Sequence, residues 1–326
     1  MLFQNISAKD VVTARMEPQL IVPLAAIILT TCTIGILGNI LILVAVLISQ
    51  RLRTVGNMFI INLTLIDLVM CCIVKPMALT GIFAGGDFYN NHQTLCIVTA
   101  MITVTLCVSS IINIVAIAIN RYVQVCLRGS YNSIYTRRRA AGMCVAIWVI
   151  GFLPNFYYIF AGVPYHFDPK LLLCLYDRDS SYHFNIGLYT LCLCQNAIVG
   201  LAYWKLFRLV AKSSQRLSRT SSESSSLLKA VFTIFLVYTV CWGPFLFIGL
   251  IDGHDRAPRF AYVITVCMAL INSSSDWIIY TLNNRYFKEA YRQIFGCKAP
   301  EPNNCKSSNS PNTEMFSNIK SSIRNH

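Results

Sequence analysis

Two carboxylic acids stand in surroundings where an acid is costly. Asp67 lies in the run Asn62-Leu-Thr-Leu-Ile-Asp67-Leu, and Asp276 in a long apolar and hydroxylic stretch near the C-terminal end. At bilayer depth a carboxylate costs about 3 kcal/mol on insertion scales, so such residues tend to face a wet interior and serve function. Two acids in one helix bundle could bind a cation or share a proton, with Ser110, Asn113 and Asn272 as neutral oxygen donors. The plainer alternative is a hydrogen bond within a helix interface; for Asp67 the wet cavity is the favoured reading. Asn120-Arg121-Tyr122 puts a guanidinium at a helix end, where it could simply reach headgroups. In Cys241-Trp242-Gly243-Pro244 the Pro removes a backbone hydrogen bond, giving a kink that could pivot or stay static. Lys75, beside Pro76, could meet an anionic group or snorkel to the interface, and snorkelling is the expectation. No metal-ligand cluster or nucleophile–base pair emerges, which points away from an enzyme.

The elements that hold these residues follow from composition. The chain has 326 residues, of which 55% are hydrophobic and only 13% charged, about half the charged share of a soluble domain. The mean hydropathy is +0.55. A net charge of +13 could suggest nucleic acid, but nucleic-acid binders are rarely this apolar, and no nucleic-acid partner is expected. Seven stretches are long enough to span a membrane: 20–48, 57–83, 96–126, 140–160, 183–209, 227–251 and 257–282. They must be helices, because lipid offers no partners to backbone groups and the segments do not alternate as barrel strands do. The expected fold is therefore an all-α membrane protein, a seven-transmembrane helix bundle with a short amphipathic helix after span seven. Its parts are an extracellular N-terminus over 1–19, the seven-transmembrane bundle over 20–283, a membrane-surface helix over 284–297 and a disordered cytoplasmic tail over 298–326.

Charge sets the expected orientation. Lys9 and Arg15 before the first span are balanced by Asp10 and Glu17, whereas Arg51 and Arg53 after it have no acid nearby. The positive-inside rule then puts the N-terminus outside. Sorted by face, 20 basic and 4 acidic residues fall in the cytosol, against 7 and 8 outside. Residues 1–19 lack the regions of a signal peptide, so the first span is expected to serve as the insertion signal. On the outer side Asn5-Ile6-Ser7 is a glycosylation sequon. Cys96 and Cys174 face the oxidising compartment, where a disulfide would persist. Cys297, after the amphipathic stretch, is a palmitoylation candidate, with a free thiol as the alternative. From Cys96 to Arg121 the third span covers about 38 Å, enough to cross the membrane with its Cys outside and its Arg at the cytosolic boundary.

Taken together these features resemble the rhodopsin-like class of G-protein-coupled receptors. The resemblance rests on Gly38-Asn39, Leu63…Asp67, Cys96 to Asn120-Arg121-Tyr122, Trp148, Cys241-Trp-Gly-Pro244, Asp276…Tyr280 and Phe287, in order over residues 25–296. Within the class the chain is most similar to melatonin receptors. That likeness is carried by Ala116-Ile-Ala-Ile-Asn120-Arg121-Tyr122, Pro76-Met-Ala-Leu-Thr-Gly-Ile-Phe83, Leu153-Pro154-Asn155, His166-Phe-Asp168-Pro169 and Phe247-Ile-Gly-Leu250. There are departures. Gln195 stands where the family has Pro in span five, and Leu191 where it has a ligand-facing His. Tyr176 and Arg178 replace an aromatic and a Gln after Cys174, and Asp276-Trp277 replaces the Asn-Pro usual in the class, Asn-Ala in melatonin receptors. Ser273-Ser-Ser275 could supply the lost helix distortion by side-chain bonding to the backbone. These departures imply a divergent relative with another ligand.

The resemblance implies a mechanism. Cys96–Cys174 would pin an outer loop over a pocket lined by Thr103, Asn155, Tyr176, Leu191, Trp242 and Phe245. No Asp stands at the position of Thr103, so an extracellular small molecule without a cationic amine is the expected ligand. A peptide or lipid ligand is the alternative within the class. Asp67, Ser110 and Asp276 would hold a sodium ion that favours the inactive state; no other cofactor is expected. Asn120, Arg121, Tyr122, Tyr203, Trp242, Pro244 and Tyr280 would form the switch and the face for a heterotrimeric G protein, perceived as the inhibitory type. Phosphorylated serines of the tail could recruit arrestin, and the plasma membrane is the expected location. A retinal-bound photoreceptor would need a Lys in span seven, and 260–282 contains none. A transporter would show internal repeats, and none is visible.

Overall fold

The computed structural model describes residues 18–127, 129–214, 221–252 and 257–296. Asn5, Cys297 and the tail lie outside the described residues. Seven helices are long and apolar enough to cross a membrane. They are α1 Pro18–Ile48, α2 Val55–Asn91, α3 Gln93–Cys126, α4 Arg137–Phe160, α5 Tyr182–Ser214, α6 Ser221–Ile251 and α7 Arg259–Asn283. A further helix, α8 Arg285–Ile294, follows α7. The expected bundle is thus observed, with its spans lengthened by polar ends that continue the helices.

Side-chain caps fix several starts. Thr54 accepts a hydrogen bond from the Asn57 amide (3.3 Å), Thr136 from that of Arg139 (3.3 Å) and Asn284 from that of Tyr286 (2.9 Å). Each satisfies one of the backbone donors that a helix start leaves open. The Asn284 cap also turns the chain sharply into α8. Phe287 and Ala290 on α8 are fully buried, and the Phe287 ring lies 6.0 Å from Tyr280 of α7.

α2 is longer and less regular than its composition suggests. Met70–Val74 forms one π-helical turn, and the chain breaks helical geometry again at Gly85 (φ 63°) before ending at Asn91. Pro76 explains the first irregularity. It has no N–H, and the Cys71 carbonyl is met by the Cys32 thiol of α1 instead (3.1 Å). The wider turn rotates the rest of α2, so Lys75, Ala78 and Ile82 point inward.

The segment between α4 and α5 adds two short strands to the helical fold. β1 Tyr165–Asp168 pairs antiparallel with β2 Leu173–Tyr176, Phe167 opposite Cys174. A disulfide joins Cys174 to Cys96 at the start of α3, tying the hairpin across that end of the bundle.

α1 and α7 pack unusually closely. Asn39 donates from its amide to the Gly35 carbonyl (2.9 Å) and to the Ser273 carbonyl of α7 (3.0 Å). Small residues at such a contact let backbones approach. A Cβ on Gly38 would stand 2.2 Å from the Trp277 indole, so Trp277 fits only because position 38 carries no side chain. In α7, Ser273 and Ser275 hydrogen-bond back to the carbonyls of Leu270 and Asn272 (3.0 and 2.8 Å), the local bonding expected where the usual Pro is missing. Gly38→Ala should therefore cost about 1–3 kcal/mol by overpacking, read as a lower thermal midpoint of the purified chain, and Trp277→Ala in the same chain should recover part of it. An undiminished midpoint in Gly38→Ala would contradict this packing.

Candidate functional site: an apolar cavity, a buried acid pair and an arginine crevice

Beneath the hairpin the helices enclose about 820 Å³ of space, its mouth included. Leu171, Leu173, Leu175 and Tyr176 of the hairpin segment roof it; Thr103 and Cys107 of α3, Tyr189 and Cys192 of α5, Trp242 and Phe245 of α6 and Leu270 of α7 are among the walls. Among the described residues no charged side chain lines it. Burial pushes the Tyr176 phenol well above the usual tyrosine range, so it stays neutral, and its ring stacks on Tyr158 at 3.9 Å. Trp242 lies at the base in an aromatic chain, 6.2 Å from Tyr238 and 6.1 Å from Phe245.

The roof is fastened to α7 by charge. Arg178 and Asp168 form an ion pair (2.9 Å) that is mostly shielded from solvent. The same guanidinium lies 4.5 Å over the Tyr262 ring, and the Tyr262 hydroxyl donates to Asp252 (3.0 Å). Arg259 donates to the Pro169 carbonyl (3.1 Å), and Lys170 to that of Ala257 (3.0 Å). Arg178, where the family pattern has a Gln, is thus engaged in holding the roof.

Four of the six residues expected to line the pocket do so: Thr103, Tyr176, Trp242 and Phe245. Two do not. Asn155 is fully buried between helices, donating to Thr105 Oγ1 (3.0 Å) and the Met101 carbonyl (3.4 Å), so it ties α4 to α3. Leu191 is 64% exposed on the outer face of α5. Its neighbours Tyr189 and Cys192 face the cavity instead. Tyr189 reaches in across Gly249 of α6, where a Cβ would come within 2.6 Å of its ring. Gly249 sits in the quoted Phe247-Ile-Gly-Leu250 motif and was the available signal for this contact.

Deeper in the bundle, Asp67 and Asp276 are both buried, their carboxyls close enough to interact side chain to side chain. One oxygen of Asp67 and both of Asp276 have no hydrogen-bond partner among the described residues. Ser110 is buried on α3 but hydrogen-bonds to neither acid. Asn113 is used elsewhere. It accepts from Asn62 (2.9 Å) and donates to the Phe59 carbonyl (2.9 Å), while the Trp148 indole donates to Asn62 (2.9 Å). This polar chain fastens α2, α3 and α4 together. Lys75 does not snorkel: it is fully buried, its ammonium donating to the Thr31 carbonyl of α1 (3.3 Å) and hydrogen-bonded to Ser274 of α7. The inward rotation after the π turn is the reason.

At the opposite end from the hairpin, Arg121 is 4% exposed. It donates to Gln124 (2.8 Å) and to Asn57 (3.4 Å), and makes no ion pair among the described residues. Asn120 donates to the Tyr131 hydroxyl (3.3 Å). Tyr203 and Tyr280 lie within electrostatic reach of the guanidinium, and both hydroxyls are buried without partners among the described residues. Tyr122 departs from the expected cluster, because the helix turns it to the outer surface, 40% exposed. A polar cleft lined by Arg51, Asn57, Arg121, Gln124, Asn284 and Tyr286 opens here. Pro244 lies inside α6 between Trp242 and Phe245, at the level of the cavity.

Comparison with known proteins bears on the same geometry. Residues 38–280 match the family model of the 7 transmembrane receptor (rhodopsin family). Melatonin receptor type 1B of Homo sapiens is 31% identical over 287 residues, covering 83% of this chain and 77% of that protein. Melatonin receptor type 1B-B of Danio rerio is 30% identical over 83% of this chain and 81% of its own. Melatonin receptor type 1A of Gallus gallus is 29% identical over 86% and 82% respectively. With its seven spans, roofed cavity and arginine crevice in the order that family requires, the chain belongs to the rhodopsin family of seven-transmembrane, G-protein-coupled receptors and has melatonin receptors among its relatives.

Proposed function

We propose that the chain is a plasma-membrane receptor, N-terminus and hairpin outside, that binds a small, uncharged, largely aromatic molecule and activates a G protein of the inhibitory type. The cavity carries the ligand reading. Its lining is apolar and aromatic with few hydroxyls, and it holds no carboxylate for a cationic amine. Its volume and its roof fit a small molecule better than a folded peptide. Melatonin and related indoles are the first ligands to test, because the similar receptors carry that name. The changed residue at 176, in the roof of the cavity, favours a different member of that chemical class.

Activation is a population shift. An agonist stabilises the state in which α6 swings outward at its Pro244 kink, and Trp242 at the cavity base senses the ligand. At the other end the outward swing widens the crevice round Arg121, and the unpartnered Tyr203 and Tyr280 hydroxyls are available to bond in the new arrangement. The tail of the G protein enters there. Serines of the C-terminal tail would recruit arrestin once phosphorylated.

The acid pair is read as a sodium site. Buried carboxyl oxygens without donors are costly, and a monovalent cation at Asp67 and Asp276, with Ser110 as the third ligand that the family resemblance implies, would satisfy them. Bound there it restrains the bundle in its inactive form.

A panel of G-protein reporters in cells expressing the full chain tests the assignment: inhibitory-type reporters should respond basally and to an uncharged indole or similar molecule, and silence of every reporter would contradict it. With Asn120 in place of Asp, Arg121 has no adjacent carboxylate to restrain the inactive state; Asn120→Asp supplies one and should lower basal signalling by about tenfold or more, the worth of a charge-assisted hydrogen bond, and unchanged basal signalling would contradict this weak restraint. Asp67→Asn should remove the effect of sodium on agonist affinity, measured against a large organic cation, and an intact sodium effect would contradict the ion site.

A further inference from the structure

Lys75 belongs neither to the cavity nor to the arginine crevice, yet it is the one fully buried lysine among the described residues. Burying an ammonium is expensive unless it is hydrogen-bonded and its charge is opposed. Its hydrogen bonds run to two other helices. The ammonium donates to the Thr31 carbonyl of α1 (3.3 Å) and meets Ser274 of α7, whose hydroxyl donates to that same carbonyl (2.6 Å). The opposing charge lies toward the middle of the bundle. Asp67 stands two turns earlier on the same helix, and Asp276 two residues beyond the Ser274 that the ammonium meets on α7, both of them buried. No carboxylate forms a direct ion pair with Lys75 among the described residues. Two acids and one amine are therefore enclosed together, with three carboxyl oxygens still unpartnered.

We propose that Lys75 is a built-in cation of the Asp67–Asp276 site. It neutralises one of the two acids at a distance, so the site takes up a single monovalent cation and holds it more weakly than a bare pair of acids would. This rests on the reading of the acid pair as a cation site. The ammonium also pins α1 to α7 beside the acids, so a charge that enters or leaves is felt at that helix contact. The lysine thus sets the range of sodium concentration over which the site fills.

The test is a sodium titration of the thermal midpoint of the purified full chain, with N-methylglucamine chloride keeping ionic strength constant. Lys75→Gln keeps a donor for the Thr31 carbonyl without the charge, and Lys75→Met serves if that variant does not fold. Either should reach half-maximal stabilisation at about tenfold lower sodium than the wild type, the effect of one unit charge several ångströms away in a protein interior. Asp276→Asn should abolish the sodium-dependent shift, and Lys75→Gln combined with Asp276→Asn should restore it, because the enclosed charge returns to minus one. Equal titrations of wild type and both Lys75 variants would overturn the lysine's part and leave the cation site standing. No sodium-dependent shift in any of these proteins would overturn both.

Discussion

A helix in hydrocarbon has no water to satisfy its polar side chains, so those inside this bundle must be met by another helix. That constraint organises the molecule. Asn39 binds α1 to α7, Asn62 and Asn113 bind α2 to α3, Trp148 brings in α4, and Asn155 ties α4 to α3 a second time. Gln195 of α5 donates to the Ile111 carbonyl of α3 (3.2 Å), so the position that lacks the family's Pro contributes a tether. Among the buried side-chain atoms left without partners in the described residues are those of the acid pair and several groups round Arg121.

The unsatisfied groups are linked through α7. It carries Ser274 against Lys75, Asp276 against Asp67, Trp277 against Gly38, and Tyr280 near Arg121. Four consecutive functions thus sit on about two turns of one helix. A Pro at position 277 would bend this segment; Trp277 instead packs into the space left by Gly38, and α7 runs unbroken from Arg259 to Asn283. The hairpin roof acts on the other end of the same helix through Arg178 and Tyr262. Hairpin roof, acid pair and crevice therefore share one helix, which gives coupling between them a physical route.

The number, order and approximate ends of the spans were legible because each demands about 20 apolar residues. Motif residues whose chemistry is unusual for lipid, such as Asp67, Arg121 and Asp276, were legible for the same reason. Which face of a helix turns inward was not. In α5 apolar residues occupy every side, so periodicity could not separate Leu191, which faces outward, from Tyr189 and Cys192, which face the cavity. Lys75 was misplaced because a π turn inserts a residue into the helical register, and only the carbonyl left open by Pro76 hinted at it. The strands of the hairpin are four residues each and are held by a disulfide to α3 and by hydrogen bonds and a cation–ring contact to the start of α7, which local sequence does not display.

The central claim is that this bundle is a two-state switch hinged in α6 and read out at Arg121. The most direct measurement is the distance between spin labels at the Arg121 ends of α3 and α6, in lipid nanodiscs, with and without nucleotide-free inhibitory G protein. The account predicts a second, longer distance that grows when the G protein is added. A single distance, unchanged by the G protein, would contradict it.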